Sequence, residues 1–399
     1  MNGIAADYGG IRSVHFARTG IYYAVLVVLG LASSTVGPTL PALAEKTQVQ
    51  LSSMGLLFTA RSFGYLIGSF QGGRLYDIVQ GHRLMTGLLA SMLVLLAAIP
   101  SMPALWMLLV VVLFLGLTEG AIDVGANTLL VWTHGERVGP YMNGLHFFWG
   151  VGAFVAPVLV TQIAQRASLE TAYWALALIA LPIVFVLPRV SCPESNPTSD
   201  LRGMRTAGGW LIAILALLTF LYIGTEVTLG GWIYTYAVSS GLAGASSAAY
   251  LTSAFWGALT LGRLLAVPIA TKLRPGVILL VDLCGALLSA VAVLNWSHSL
   301  AILWIGCLGM GLALASVFPT IMSFAERRIV LTGRLTSWLF VGGSAGGMTV
   351  PWLVGYFFES NGPQFTLQVI AVDLLMAIIT LIVVIIVSRR MVSHDAKSV

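Results

Sequence analysis

The feature that most narrows the folds open to this chain is a set of long stretches without a single Asp, Glu, Lys or Arg, at 19–44, 84–118, 138–165, 206–225, 227–262, 283–325 and 335–358. A hydrocarbon layer about 30 Å thick is crossed by about 20 helical residues, and within it every backbone N–H and C=O must find an internal partner. Stretches this long and continuously apolar lack the in–out alternation of membrane β-strands. They predict membrane-spanning helices. Only 9% of the residues are charged and 58% are hydrophobic, whereas soluble surfaces usually carry roughly 25–35% charge, so a soluble enzyme is excluded.

Divided at turn signals such as 100–103, 239–247 and 295–299, the sequence predicts twelve spans near 18–43, 51–76, 83–100, 104–131, 141–164, 171–188, 209–237, 246–271, 275–295, 299–325, 333–358 and 363–388. With both termini cytoplasmic, only Lys46 and Arg166 fall outside and Arg61 and Arg263 within spans, so sixteen of the twenty basic residues lie in or beside cytoplasmic segments. That asymmetry sets the orientation. The net charge of +5 is distributed with no basic run longer than two residues, a pattern of topology signals and not of nucleic-acid binding. Cys192, Cys284 and Cys307 are scattered without the spacing of a metal site or a disulfide framework, so packing is their expected role.

The second half repeats the first. At an offset of 193 or 194, Gly30 falls on Gly224, Gly37 on Gly231, Gly64 on Gly257, Gly116 on Gly309 and Gly152 on Gly346, with Thr59 on Thr252 and Pro157 on Pro351. The organisation expected is a bundle of six helices over 1–188, a polar cytoplasmic linker over 189–208 and a second bundle over 209–399. Parallel repeats of this kind place a substrate near the bilayer midplane between halves that rock, the design of a secondary transporter.

Between the second and third spans, Gly73, Asp77, Gly81 and Arg83 resemble the signature loop of the major facilitator superfamily. The stretch Asp123-Val124-Gly125-Ala126-Asn127, the run from Met142 to Pro157, and Tyr222-Ile223-Gly224-Thr225-Glu226 with Gly231-Trp232 are similar to the branch holding fucose permeases and sodium-dependent glucose transporters. The resemblance implies an all-α membrane protein with twelve transmembrane helices in two pseudo-symmetric six-helix bundles. It further implies cation-coupled uptake of a hexose, an acid of the coupling site at Asp123, and a charged cytoplasmic latch formed by the loop's Asp77 and Arg83.

Charges inside spans are costly and therefore candidates for function. Glu119, Asp123 and Asn127 recur every four residues along one side of the fourth span. Two carboxylates one turn apart do not both ionise without a neighbouring cation, which a proton, a sodium ion or Arg61 supplies. A permanent ion pair of Arg61 with Glu119 would leave Asp123 to titrate or to bind sodium together with Asn127. His146, at comparable depth, either tunes Asp123 or packs. In the second half the aligned positions are Leu312, Ser316 and Thr320, so the first half is expected to couple the ion and the second to contact substrate. Glu226, Asn143 and Thr320 are the polar substrate candidates, and Trp149, Trp232 and Trp256 the rings that would stack on a sugar. Arg263 and Asp282 are expected to form a structural ion pair, and Gly342 to Gly347 a close packing or hinge.

The function expected is symport of a hexose-like sugar by alternating access, with sodium or a proton as coupling ion and no cofactor. The alternative is a proton-coupled efflux antiporter for small amphiphilic compounds. The expected surroundings are a small-molecule substrate and the lipid bilayer, without nucleic acid, for a monomer in a bacterial inner membrane. His134-Gly135-Glu136 is the sole catalytic-looking triplet and lacks a second motif, so no enzyme is expected.

Overall fold

A computed structural model describes residues 2–194, 209–327 and 333–395, and they are almost entirely helical. The helices are α1 (Asn2–Lys46), α2 (Leu51–Ile78), α3 (Gly81–Ala98), α4 (Leu105–His134), α5 (Gly139–Arg166), α6 (Leu169–Val186), α7 (Gly209–Ser239), α8 (Ala245–Ala270), α9 (Pro275–Asn295), α10 (Leu300–Leu314), α11 (Val317–Glu326), α12 (Gly333–Asn361) and α13 (Phe365–Asp395). Most of the linker expected over 189–208 lies outside the described residues.

Among the described residues, thirteen α-helices stand for twelve spans because the tenth is interrupted between Leu314 and Val317. Pro319 explains the break. It has no N–H for the carbonyl of Ala315, and its ring crowds that carbonyl. Among the described residues, ten segments are long and apolar enough to cross a membrane, with Leu300–Glu326 counted as one of them. α2 and α12 are similarly long but are diluted by glycine and polar residues. Helix ends follow local chemistry. Ser168 and Ser299 accept the N–H groups of Thr171 and Ile302 at the starts of α6 and α10, and Gly135 closes α4 at a φ of 55°.

Contacts group the chain into two units, Met1–Val49 with Phe63–Thr198, and Gln50–Ser62 with Ser199–Val399. The first part of α2 thus clusters with the second unit, whereas the sequence places it in the first bundle. In the first unit α1 packs on α5, and α3 packs on α4 and α6. Gly30 and Gly152 make the α1–α5 crossing close: a Cβ on Gly30 would collide with the backbone of Trp149 and Ala153, and one on Gly152 with that of Val27 and Leu31. In the second unit α7 packs on α12, and α9 on α10 and α13. There Gly346 lies against the backbone of Phe220, and Gly224 against Val350. The glycines aligned by the repeat therefore hold the same crossing in each unit.

The Asp77 and Arg83 side chains of the α2–α3 loop are exposed, and Gly81 abuts Leu129 and Cys192. His82 beside them is buried. Its Nε2 lies 2.8 Å from the Tyr22 hydroxyl and its Nδ1 2.9 Å from the Val190 carbonyl, so both ring nitrogens are used in tying α1, α3 and the segment after α6 together. Arg18 extends that tie, donating to the carbonyls of Ser191 and Cys192 at 2.7 and 3.1 Å.

Candidate functional site

On α4 the four-residue spacing does what helical geometry requires. Asp123 and Asn127 stand one turn apart on one side, and the Asn127 amide donates to the Asp123 backbone carbonyl at 2.8 Å and to its Oδ1 at 3.0 Å. The other carboxylate oxygen, Oδ2, accepts the hydroxyl of Tyr65 on α2. Asp123 and Tyr65 are half-buried, and Glu119, one turn towards the start of α4, is 2% exposed. The neighbouring backbone allows the approach: Gly64 and Gly68 leave no room for a Cβ against Leu113 and Leu117 of α4. Asp123 is thus fixed by two neutral donors, which orient its oxygens.

The other coupling and substrate candidates of the first half lie on α5 and α2. Asn143 is exposed in the first turn of α5, and His146 and Trp149 are half-buried further along it. Arg61 precedes Tyr65 by one turn on α2, on the segment that clusters with the second unit.

In the second unit, Tyr222 and Glu226 are one turn apart on α7, and the tyrosine hydroxyl donates to Oε2 of the glutamate. Arg263 of α8 places Nη2 4.0 Å from Oε1. This corrects the expected pairing of Arg263 with Asp282: the carboxylate facing the guanidinium is Glu226, and Asp282 accepts the hydroxyl of Ser316 at the break between α10 and α11. A short loop brings the ends of α8 and α9 together, but the rotation of each helix decides which side chains meet. Asp373 of α13 accepts the Thr225 hydroxyl at 2.6 Å.

Two tryptophans are buried in this structure. Trp232 is fully enclosed, with its N–H donated to the Pro351 carbonyl at 3.1 Å, its ring stacked on Phe358 at 5.1 Å and tilted against Phe58 at 6.1 Å. In this structure the ring is packed on both neighbours. Trp256 is 7% exposed and lies over Gly230. Thr320 is buried on α11. His134 is likewise spent on structure, 2.7 Å from the Thr19 hydroxyl and stacked on Tyr141.

Tyr65, Tyr222 and Thr225 are the participants that sequence reasoning passed over. The four-residue interval from Tyr222 to Glu226 was a usable signal. Tyr65 had none beyond its place one turn from Arg61, because a tyrosine in an apolar helix ordinarily reads as packing.

A family model described as Major Facilitator Superfamily matches residues 22–351. The chain belongs to this superfamily. It is 30% identical over 372 residues to the sodium-dependent glucose transporter 1A of Mus musculus, covering 84% of this chain and 88% of that one. It is 26% identical over 455 residues to major facilitator superfamily domain-containing protein 4A of Homo sapiens, covering 88% of each. The fold is shared with a mutant of the nucleoside transporter NupG at a TM-score of 0.76 and 12% identity, over 92% of this chain and 99% of that one. As a member of the superfamily the chain is a multi-pass membrane transporter and not an enzyme.

Proposed function

We propose that this transporter is a symporter that couples inward movement of sodium to uptake of a hexose-like sugar by alternating access, with Asp123 as the cation site. The observation that carries the reading is the Asp123 carboxylate, oriented on both oxygens by Tyr65 and Asn127 and given no cationic donor by either. A hard monovalent cation is suited to such oxygens, and Asn127 and Tyr65 each carry a side-chain oxygen able to accept as well. The name of the mouse relative supports sodium over the proton and glucose over other substrates. Glu119, one turn away in the same stripe, adds negative potential; His146 and Arg61 modulate it.

Glu226 is the sugar's acceptor in this reading, held by Tyr222 and Arg263, with Asn143, Trp149, Trp256 and Thr320 as accessory contacts. Gly73, Asp77, Gly81 and Arg83 form the latch. The bundles over 1–188 and 209–399 are its two domains, and the distribution of basic residues supports cytoplasmic termini.

The test is tracer glucose uptake into proteoliposomes under an imposed sodium gradient, with a pH gradient in a parallel arm. Sodium-driven accumulation is expected, and Asp123→Asn abolishes it while sugar exchange continues. Accumulation undiminished in Asp123→Asn removes Asp123 from coupling, and accumulation driven by the pH gradient alone replaces sodium with the proton.

A further inference from the structure

Asp373 belongs to none of the groups assigned above, yet it is among the most enclosed acids of the second unit, 6% exposed on α13. One oxygen accepts the Thr225 hydroxyl at 2.6 Å, and Thr225 itself is fully buried. α13 packs against α7, α9 and α12. On α7, the neighbouring Glu226 is taken by Tyr222 and Arg263, and Tyr234 and Tyr236 stand more than two turns away. On α9, Asp282 is bound to Ser316 and Cys284 lies two residues on. On α12, Tyr356 and Glu359 are exposed, and Glu359 accepts the Leu51 N–H. Among the described residues, the Thr225 hydroxyl is the polar partner that Asp373 has, and no cation reaches it.

An ionised carboxylate in that enclosure lacks the compensation that buried charges need. Two ways of neutralising it differ in what they require. A metal cation collects about six oxygen ligands, whereas here the carboxylate has one hydroxyl partner among the described residues. A proton needs no shell. It sits on the carboxyl oxygen and donates to Thr225 Oγ, and a helical threonine hydroxyl freed in this way donates to a carbonyl one turn back.

We propose that Asp373 is a proton-carrying acid, neutral while enclosed between α7 and α13 and releasing its proton when Thr225 turns away and water enters. It gives the second unit an ion site of a different kind from that of Asp123, one for a proton and not for a metal cation. The inference rests on the enclosure alone, so a failure of sodium-driven sugar uptake leaves it standing.

Infrared spectra of the full-length chain in lipid vesicles at neutral pH test it. Wild type minus Asp373→Asn is expected to show loss of a protonated-carboxyl C=O band. A difference confined to ionised-carboxylate bands overturns the proposal. Should Asp373→Asn fail to fold, Thr225→Val serves: it removes the hydrogen-bond partner, and the same band is expected to move to higher frequency. An unmoved protonated band, or none at all, in that variant overturns it equally.

Discussion

Each unit contains acids held by a hydroxyl, and they differ in the second partner. In the first, Asp123 takes Tyr65 on one oxygen and the Asn127 amide on the other. In the second, Glu226 takes Tyr222 and lies 4.0 Å from Arg263, while Asp373 has Thr225 and Asp282 has Ser316. A neutral donor orients a carboxylate, whereas a guanidinium also offsets its charge. The scaffold under both arrangements is shared, since aligned glycines make the α1–α5 and α7–α12 crossings. Repetition has preserved backbone packing while the polar side chains have diverged, so one architecture holds acids with different partners.

The largest effects should come from the shared scaffold, and they should not be equal. A Cβ on Gly30 meets backbone atoms of Trp149 and Ala153, which cannot step aside, whereas one on Gly224 meets Cγ2 of Val350 at 2.5 Å, the end of a side chain. Gly30→Ala is expected to cost about 3 kcal/mol or more and Gly224→Ala about 1 kcal/mol, within the range for overpacked sites. Thermal unfolding of the two variants in detergent measures the difference, and equal losses would mean that the two crossings are not strained in the way their contacts indicate.

The next effect distinguishes the acids. Removing a hydroxyl that bonds a charged group costs about 1.5–3 kcal/mol, or about tenfold or more in an equilibrium. Tyr65→Phe leaves Asp123 with a single amide donor, so the sodium concentration for half-maximal uptake should rise about tenfold. Tyr222→Phe leaves Glu226 facing Arg263, and its effect on sugar affinity should be no more than about threefold, given the charge that remains to hold it. Uptake titrations in sodium and in sugar measure both. A larger loss in Tyr222→Phe would show that Arg263 does not compensate and would erase the distinction between the units.

How much of this was legible in the sequence depended on whether the signal was local. Charge-free runs fixed the helices, because backbone polar groups in a bilayer leave no other choice for stretches of that length. The glycine alignment revealed the crossings, since only glycine admits a backbone so close. Asp123 with Asn127 was visible because four residues close one helical turn. Partners across helices were not visible. Tyr65 resembles a packing residue until α2 is placed beside α4, and Arg263 meets Glu226 and not Asp282 through helix rotations that adjacency in the chain does not encode. The interruption of the tenth span was within reach, as Pro319 stood in an otherwise uninterrupted apolar run.

The smallest effect concerns Trp232, where the units also part. Its aligned position in the first unit is Pro38, which has no N–H to give, so the indole bond to the Pro351 carbonyl is an addition peculiar to the second unit. Trp232→Phe retains a ring against Phe358 and Phe58 but leaves that carbonyl without the donor. A loss of about 1 kcal/mol in stability is expected, with sugar affinity unchanged because the ring has no exposed face in this structure. Affinity falling together with stability would report a shift of α7 that carries Glu226 with it. Affinity falling at full stability would instead show that the ring is uncovered during transport, and would return Trp232 to the substrate contacts.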